Sequence, residues 1–156
     1  HSKGALGRCY VKGDRVAKDE ARGLALGRES ETAGSCFGQF AVGVCYKFGR
    51  GGVAEDLAEA VRLYSLAAAQ GHADAQVGLG YMFEKGQGVA QDDAEAVRLY
   101  SLAAAQGDAS AQFNLGVMFE NGEGVAQDRA EAIRWYRLAA AQGNAIATAA
   151  LERLGV

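Results

Sequence analysis

The fourteen residues AEAVRLYSLAAAQG at 58–71 return unchanged at 94–107 and, as AEAIRWYRLAAAQG, at 130–143, a spacing of 36 residues each time. The first halves of the units repeat as well. Leu79-Gly80 recurs as Leu115-Gly116 and, more loosely, as Val42-Gly43. Gly86-Gln87-Gly88-Val89 recurs as Gly122-Glu123-Gly124-Val125, and its earlier copy, Gly49-Arg50-Gly51-Gly52-Val53, carries one extra glycine. A period of this length defines one supersecondary unit that cannot bury its own apolar face, so copies must stack on one another. The repeat predicts units at 35–72, 73–108 and 109–144, a worn unit at 1–34, and a closing helix over 145–156 that copies only the first half of a unit. In the worn unit Gly7-Arg8-Cys9-Tyr10 parallels Gly43-Val44-Cys45-Tyr46, but the match decays after Asp19.

Each unit reads as two helices. Asp56, Asp92 and Asp128 are followed three residues later by Glu59, Glu95 and Glu131. This is a variant of the capping box, in which the Asp accepts from a first-turn amide and the Glu reaches back. Ala60, Tyr64, Ala67 and Ala68 then share one helical face, and Gly71, Gly107 and Gly143 stand where a left-handed residue closes a helix. The preceding helix, about 73–84 in the middle unit, places Ala75, Leu79, Met82 and Phe83 on its apolar side. Its interior glycine costs about 1 kcal/mol in helix propensity. The return of that glycine at Gly43, Gly80 and Gly116 predicts close helix–helix approach. The glycine-rich loop turns the chain back. The expected fold is all-α, a right-handed superhelical solenoid of antiparallel helix pairs with one concave and one convex side.

At this point the chain resembles the SEL-1-like repeat, a relative of the tetratricopeptide repeat. The pattern Ala-x-Ala-Gln-x-x-Leu-Gly-x-x-Phe-x-x-Gly-x-Gly-Val-x-x-Asp-x-x-x-Ala-x-x-x-Tyr-x-x-Ala-Ala-x-Gln-Gly reads off 73–107 and 109–143. The resemblance covers 36–144 strongly and 5–34 weakly. Many members carry proline after the Gly-Val pair, where this chain has Ala54, Ala90 and Ala126 and no proline anywhere. Some relatives carry a cysteine pair in every repeat, which this chain does not. The resemblance implies scaffolding, adaptor or signalling work, and leaves the partner open.

Bulk properties narrow the function classes. A net charge of −3 without a basic stripe argues against nucleic acid, and no apolar run is long enough for membrane insertion. Cys9, Cys36 and Cys45 make a poor disulfide framework, because Cys36 and Cys45 lie about 13 Å apart along one expected helix. That usage favours a reducing, cytoplasmic compartment. His1 stands in place of a methionine with no signal-like segment after it, so residues 1–5 read as a tag remnant and a cut edge of a longer protein. No catalytic or metal signature is present, and neither a cofactor nor an enzymatic activity is expected. His72 takes a turn position held by Asp108 and Asn144 elsewhere, and the Gly-x-Gly elements lack the strand and third glycine of a nucleotide fingerprint.

Positions that vary between units are free to meet a partner. If the first helices line the concave side, as in related repeats, three rows face it: Phe40, Val77 and Phe113; Val44, Tyr81 and Val117; and Lys47, Glu84 and Glu120. Phe48, Lys85 and Asn121 end those helices, and Asn114 adjoins Phe113. The first row has two readings, partner contact or packing between neighbouring first helices. The expected occupant is a protein or peptide. The alternatives are a self-assembling module associating weakly through its ends, or the non-catalytic interaction domain of a larger enzyme or signalling protein.

Overall fold

The computed structural model describes residues 20–156, with the side chain of Glu20 left aside; the parallels drawn for 1–19 lie outside them. Among the described residues there are eight α-helices and no strand: α1 (Glu20–Thr32), α2 (Cys36–Phe48), α3 (Leu57–Ala69), α4 (Ala73–Lys85), α5 (Asp93–Ala105), α6 (Ala109–Asn121), α7 (Arg129–Ala141) and α8 (Ala145–Leu154). Every substantial helix–helix contact joins consecutive helices, the signature of a solenoid.

The helix starts follow the sequence with one change. Asp56, Asp92 and Asp128 each accept the amide of the residue three positions on, at 3.0 Å. The glutamates do not reach back to complete the box. The cap amides of Asp56, Asp92 and Asp128 donate instead to the carbonyls of Tyr46, Phe83 and Phe119 in the preceding helix, and Glu59, Glu95 and Glu131 pair with Arg62, Arg98 and Arg134 one turn later. The first helices use the turn residue as their cap. His72 Nδ1 accepts from the Ala75 amide at 3.1 Å, Asp108 from Ala111 at 2.8 Å and Asn144 from Ala147 at 2.9 Å. Gly71, Gly107 and Gly143 close the second helices at φ of 83°, 88° and 86°.

The interior glycine is where each hairpin closes. Tyr64, Tyr100 and Tyr136 project from the second helix onto Gly43, Gly80 and Gly116 of the first. A β-carbon there would lie 2.6, 2.8 and 2.6 Å from a ring carbon. The rings are 2%, 0% and 1% exposed, so they have nowhere to retreat. The propensity cost of the glycine is offset by this burial. In α8 the same position is Glu152, which is exposed.

Neighbouring units are joined by a polar relay. The side chain of Gln106, at the end of α5, donates to buried Gln76 of its own unit at 2.9 Å, and Gln76 donates to the Ala68 carbonyl of the previous unit at 3.2 Å. Gln142, Gln112 and the Ala104 carbonyl repeat the arrangement. Each buried amide thus bridges two second helices, adding a second donor to a carbonyl that already accepts the amide of Gly71 or Gly107. The loop glycines add a backbone contact. Gly124 has φ of 66°, and a β-carbon on it would meet the Asp93 carbonyl of the preceding unit at 2.3 Å.

Two measurements check this account. Gly116→Leu should lower stability by about 2 kcal/mol or more through over-packing, read as a lower urea midpoint of the fluorescence of Trp135, the single tryptophan; a raised midpoint would show an open site governed by propensity. In amide hydrogen exchange, α1, with Gly23 and Gly27 and without the Tyr and Ala-Ala core residues, should open before 93–106; equal protection would contradict that ordering.

Candidate functional site

The expected partner-binding residues occupy the first helices α2, α4 and α6; eight of the thirteen line one of two grooves, and Lys47, Tyr81, Glu84, Lys85 and Asn114 line neither. The nearer groove runs across three consecutive first helices. Phe40, Val44 and Phe48 of α2, Val77 of α4 and Ser110 of α6 line it, together with Tyr64, Arg50 and Asp74. The farther groove lies between α6 and α8, lined by Phe113, Val117, Glu120, Asn121, Tyr136, Ile146 and Arg153.

Burial sorts these residues. Phe40 and Val44 belong to the core, and Phe40 stacks on Tyr64 with centroids 5.3 Å apart and on His72 at 4.8 Å. Only part of their surface can form the floor of a groove. Val77, Phe113, Asn114 and Val117 are partly buried, and Phe113 tilts against Tyr136 at 5.6 Å. The first row thus takes part in packing as well as facing a groove. Phe48 at 53% and Tyr81 at 40% are the large apolar groups these helices present to solvent. Lys85 and Asn121 are exposed at the helix ends.

The charged row divides in two. Glu84 accepts from the Tyr100 hydroxyl at 2.7 Å and pairs with Lys85 at 2.7 Å. Glu120 accepts from the Tyr136 hydroxyl at 2.6 Å and pairs with Arg153 of α8 at 2.7 Å. Both carboxylates are tied to the protein's own tyrosines. In the first unit the corresponding residue is Lys47, whose ammonium lies 5.4 Å from the ring centre of Phe48, 6.0 Å from that of Tyr64 and 5.0 Å from that of Tyr81. Arg50 sits over Phe48 at 5.1 Å and Lys85 over Tyr81 at 5.8 Å. These are cation–π distances. Burial holds the Lys47 ammonium below the usual lysine range.

Sequence reasoning missed the groove residues that do not come from variable first-helix positions. Ile146 and Arg153 belong to α8, and Arg153 stands where the repeat has Val117; that break in the pattern was the available signal. The Glu–Tyr bonds were signalled by a constant spacing of 16 residues in the two later units. Among the described residues no group of three or more His, Cys, Asp or Glu side chains is placed to hold a metal, and no helix is long and apolar enough to cross a membrane. Cys36 and Cys45 both lie on α2, and Cys45 is buried in the core.

Comparison with known proteins agrees with this architecture. The Sel1 repeat family model matches residues 5–35, 37–72, 73–108 and 109–144, so the chain belongs to the Sel1 repeat family. It is similar to c5321, a protective antigen present in uropathogenic Escherichia coli strains with an SLR fold, at 32% identity and a TM-score of 0.85 over 99% of this chain and 33% of that one. It is also similar to a Sel1 repeat protein from Oxalobacter formigenes, at 31% identity and a TM-score of 0.81 over 93% of this chain and 57% of that one. The cysteine rich protein B of Helicobacter pylori, at 21% identity and a TM-score of 0.66, shares the fold. The chain thus spans about a third and somewhat over half of its first two structural relatives. No curated protein matches the sequence. Sel1 repeats commonly mediate protein–protein interaction and are generally non-catalytic.

The ion pairs set an acid limit. Arg98 lowers the Glu95 carboxyl and Arg134 that of Glu131; at Glu120 burial raises it, and the bonds from Tyr136 and Arg153 more than reverse that. A carboxylate lowered in the folded state stabilises fully above its unfolded value, about 4.3 for Glu, and loses that contribution as pH falls through the folded value. The urea midpoint should therefore fall below about pH 4. Glu120→Gln, which keeps an acceptor for Tyr136, should flatten that fall; an unchanged slope would remove Glu120 from the account.

Proposed function

We propose that the chain is a scaffold or adaptor module that binds a partner polypeptide along the first helices, the concave side of the solenoid. The observation that carries this reading is the contrast between the two helix sets. The second helices repeat almost verbatim, and their outer faces expose the same leucine in each unit, Leu66, Leu102 and Leu138. The first helices differ from unit to unit at Phe40/Val77/Phe113, Val44/Tyr81/Val117 and Lys47/Glu84/Glu120. Recognition of one sequence needs that individuality, whereas a scaffold needs only uniformity. Tyr81 and Phe48 are the exposed aromatic anchors of this face, and Phe113 anchors the farther groove. Grooves with apolar floors and charged edges suit an extended peptide or a helix. Because longer relatives contain this much chain as a portion, the module also fits the interaction part of a larger protein.

A second reading is self-association through the solenoid ends, favoured by the exposure of Ile146 on α8. Sedimentation velocity separates the two, since self-association predicts a mass that grows with concentration.

On a partner recovered by pull-down, Tyr81→Ala should weaken binding about tenfold or more with little change in melting temperature, as truncated aromatic anchors do. Arg98→Ala, which removes the exposed ion pair with Glu95 on a second helix, should leave binding unchanged and lower the melting temperature only slightly. Loss of binding with Arg98→Ala and not with Tyr81→Ala would place the partner on the second helices instead.

A further inference from the structure

The row Lys47, Glu84 and Glu120 occupies one register of the three first helices, yet its members do different things. The two glutamates are satisfied internally by Tyr100 and Tyr136 and by the cations Lys85 and Arg153. Lys47 breaks the pattern. Tyr64 has no glutamate at that place; it has the ammonium of Lys47 6.0 Å from its ring centre. Among the described residues no carboxylate pairs with Lys47, Arg28, Arg129 or Arg137, whereas Arg62, Lys85, Arg98, Arg134 and Arg153 each have one; of the four, Lys47 is the one set among aromatic rings on the first helices. The ammonium is partly buried, so it has lost water without gaining an anion. Its neighbours are the two exposed aromatic rings of this face, Phe48 and Tyr81, each of which carries a second cation, Arg50 or Lys85.

We propose that Lys47 anchors an Asp or Glu side chain of the bound polypeptide, and that the apolar residues beside that carboxylate pack on Phe48 and Tyr81. This rests on the reading that a polypeptide lies along the first helices. Charge complementarity favours a single carboxylate over a polyanion. Of the three cations here, Lys85 is already paired with Glu84, and Arg50 shares its groove with the acidic side chains of Asp74 and Asp108, where a run of phosphates would be repelled. Asp108 is committed to the Ala111 amide, and Asp74 has an interaction of its own, so neither is a counter-ion waiting for Lys47.

The test is selection from a random linear peptide library displayed on phage, using the full chain as bait. The wild-type chain should select peptides in which Asp or Glu is flanked by apolar residues. Lys47→Gln should weaken those peptides about tenfold, the effect of losing one hydrogen bond to a charged group, and should select apolar peptides without the acidic residue. Lys47→Arg should restore the acidic preference, which a loss of folding could not do, and circular dichroism of all three chains checks that they fold alike. If the wild-type chain selects peptides with no acidic preference, the Lys47 assignment is overturned and the binding face stands. If no peptide selected by the wild-type chain is weakened by Tyr81→Ala, or if none is selected at all, the binding face itself falls. If a single-stranded oligonucleotide displaces the peptides and binds in a Lys47-dependent way, the anion is a phosphate and the proposal is wrong.

Discussion

The tyrosine set on a bare glycine is the contact on which the rest of this molecule depends. It fixes how near the two helices of a unit lie, because the flat ring occupies the volume a side chain at Gly43, Gly80 or Gly116 would need. With that distance set, the alanines at 60 and 67 and their repeats can pack fully buried between second and first helices. Small residues suffice there only because the tyrosine holds the spacing. The phenolic hydroxyl then reaches the rim of the unit, where Glu84 and Glu120 accept from it. One side chain therefore joins the core of the hairpin to the chemistry of its surface, and replacing the glutamate by Lys47 in one unit changes that surface without touching the core.

Between units a different interaction takes over. The buried glutamines at 76 and 112 act as splices: each receives a bond from its own unit and gives one to the unit before. A bond of this kind is directional, so it sets the rotation of one hairpin on the next more closely than alanine packing could. The loop glycines at 88 and 124 bring backbone against the start of the preceding second helix and leave no room for slippage. Since substantial contacts join only consecutive helices, stability in such an array is a sum of local terms, and each first helix is free to carry its own surface residues as long as the spliced positions are kept.

Much of this was legible in the residues. Periodicity and recurrence gave the helix pairs, their caps and the close approach at the interior glycine, since each of these depends on neighbours within one unit. The reach-back of Glu59, Glu95 and Glu131 was not legible. The cap amide it would meet donates to a carbonyl of the preceding helix, a contact set by the hairpin, and the carboxylate turns to the arginine one turn later. The binding rows were partly legible. Variation pointed to the first helices, but it could not separate Phe40, held in the core against His72, from Phe48, half exposed at the same helix's end.

The sequence by itself determined the unit, its two helices and its membership of a repeat class, because those follow from short-range capping, turn and packing patterns that recur every 36 residues. Only the tertiary structure decided that Lys47 lies over Phe48, Tyr64 and Tyr81 while Glu84 and Glu120 turn inward to tyrosine hydroxyls, and that α8 contributes Ile146 and Arg153 to a groove with α6. The physical reason is that these arrangements join residues from different helices. Which carboxylate is satisfied and which cation is left without one depends on distances that no local pattern encodes.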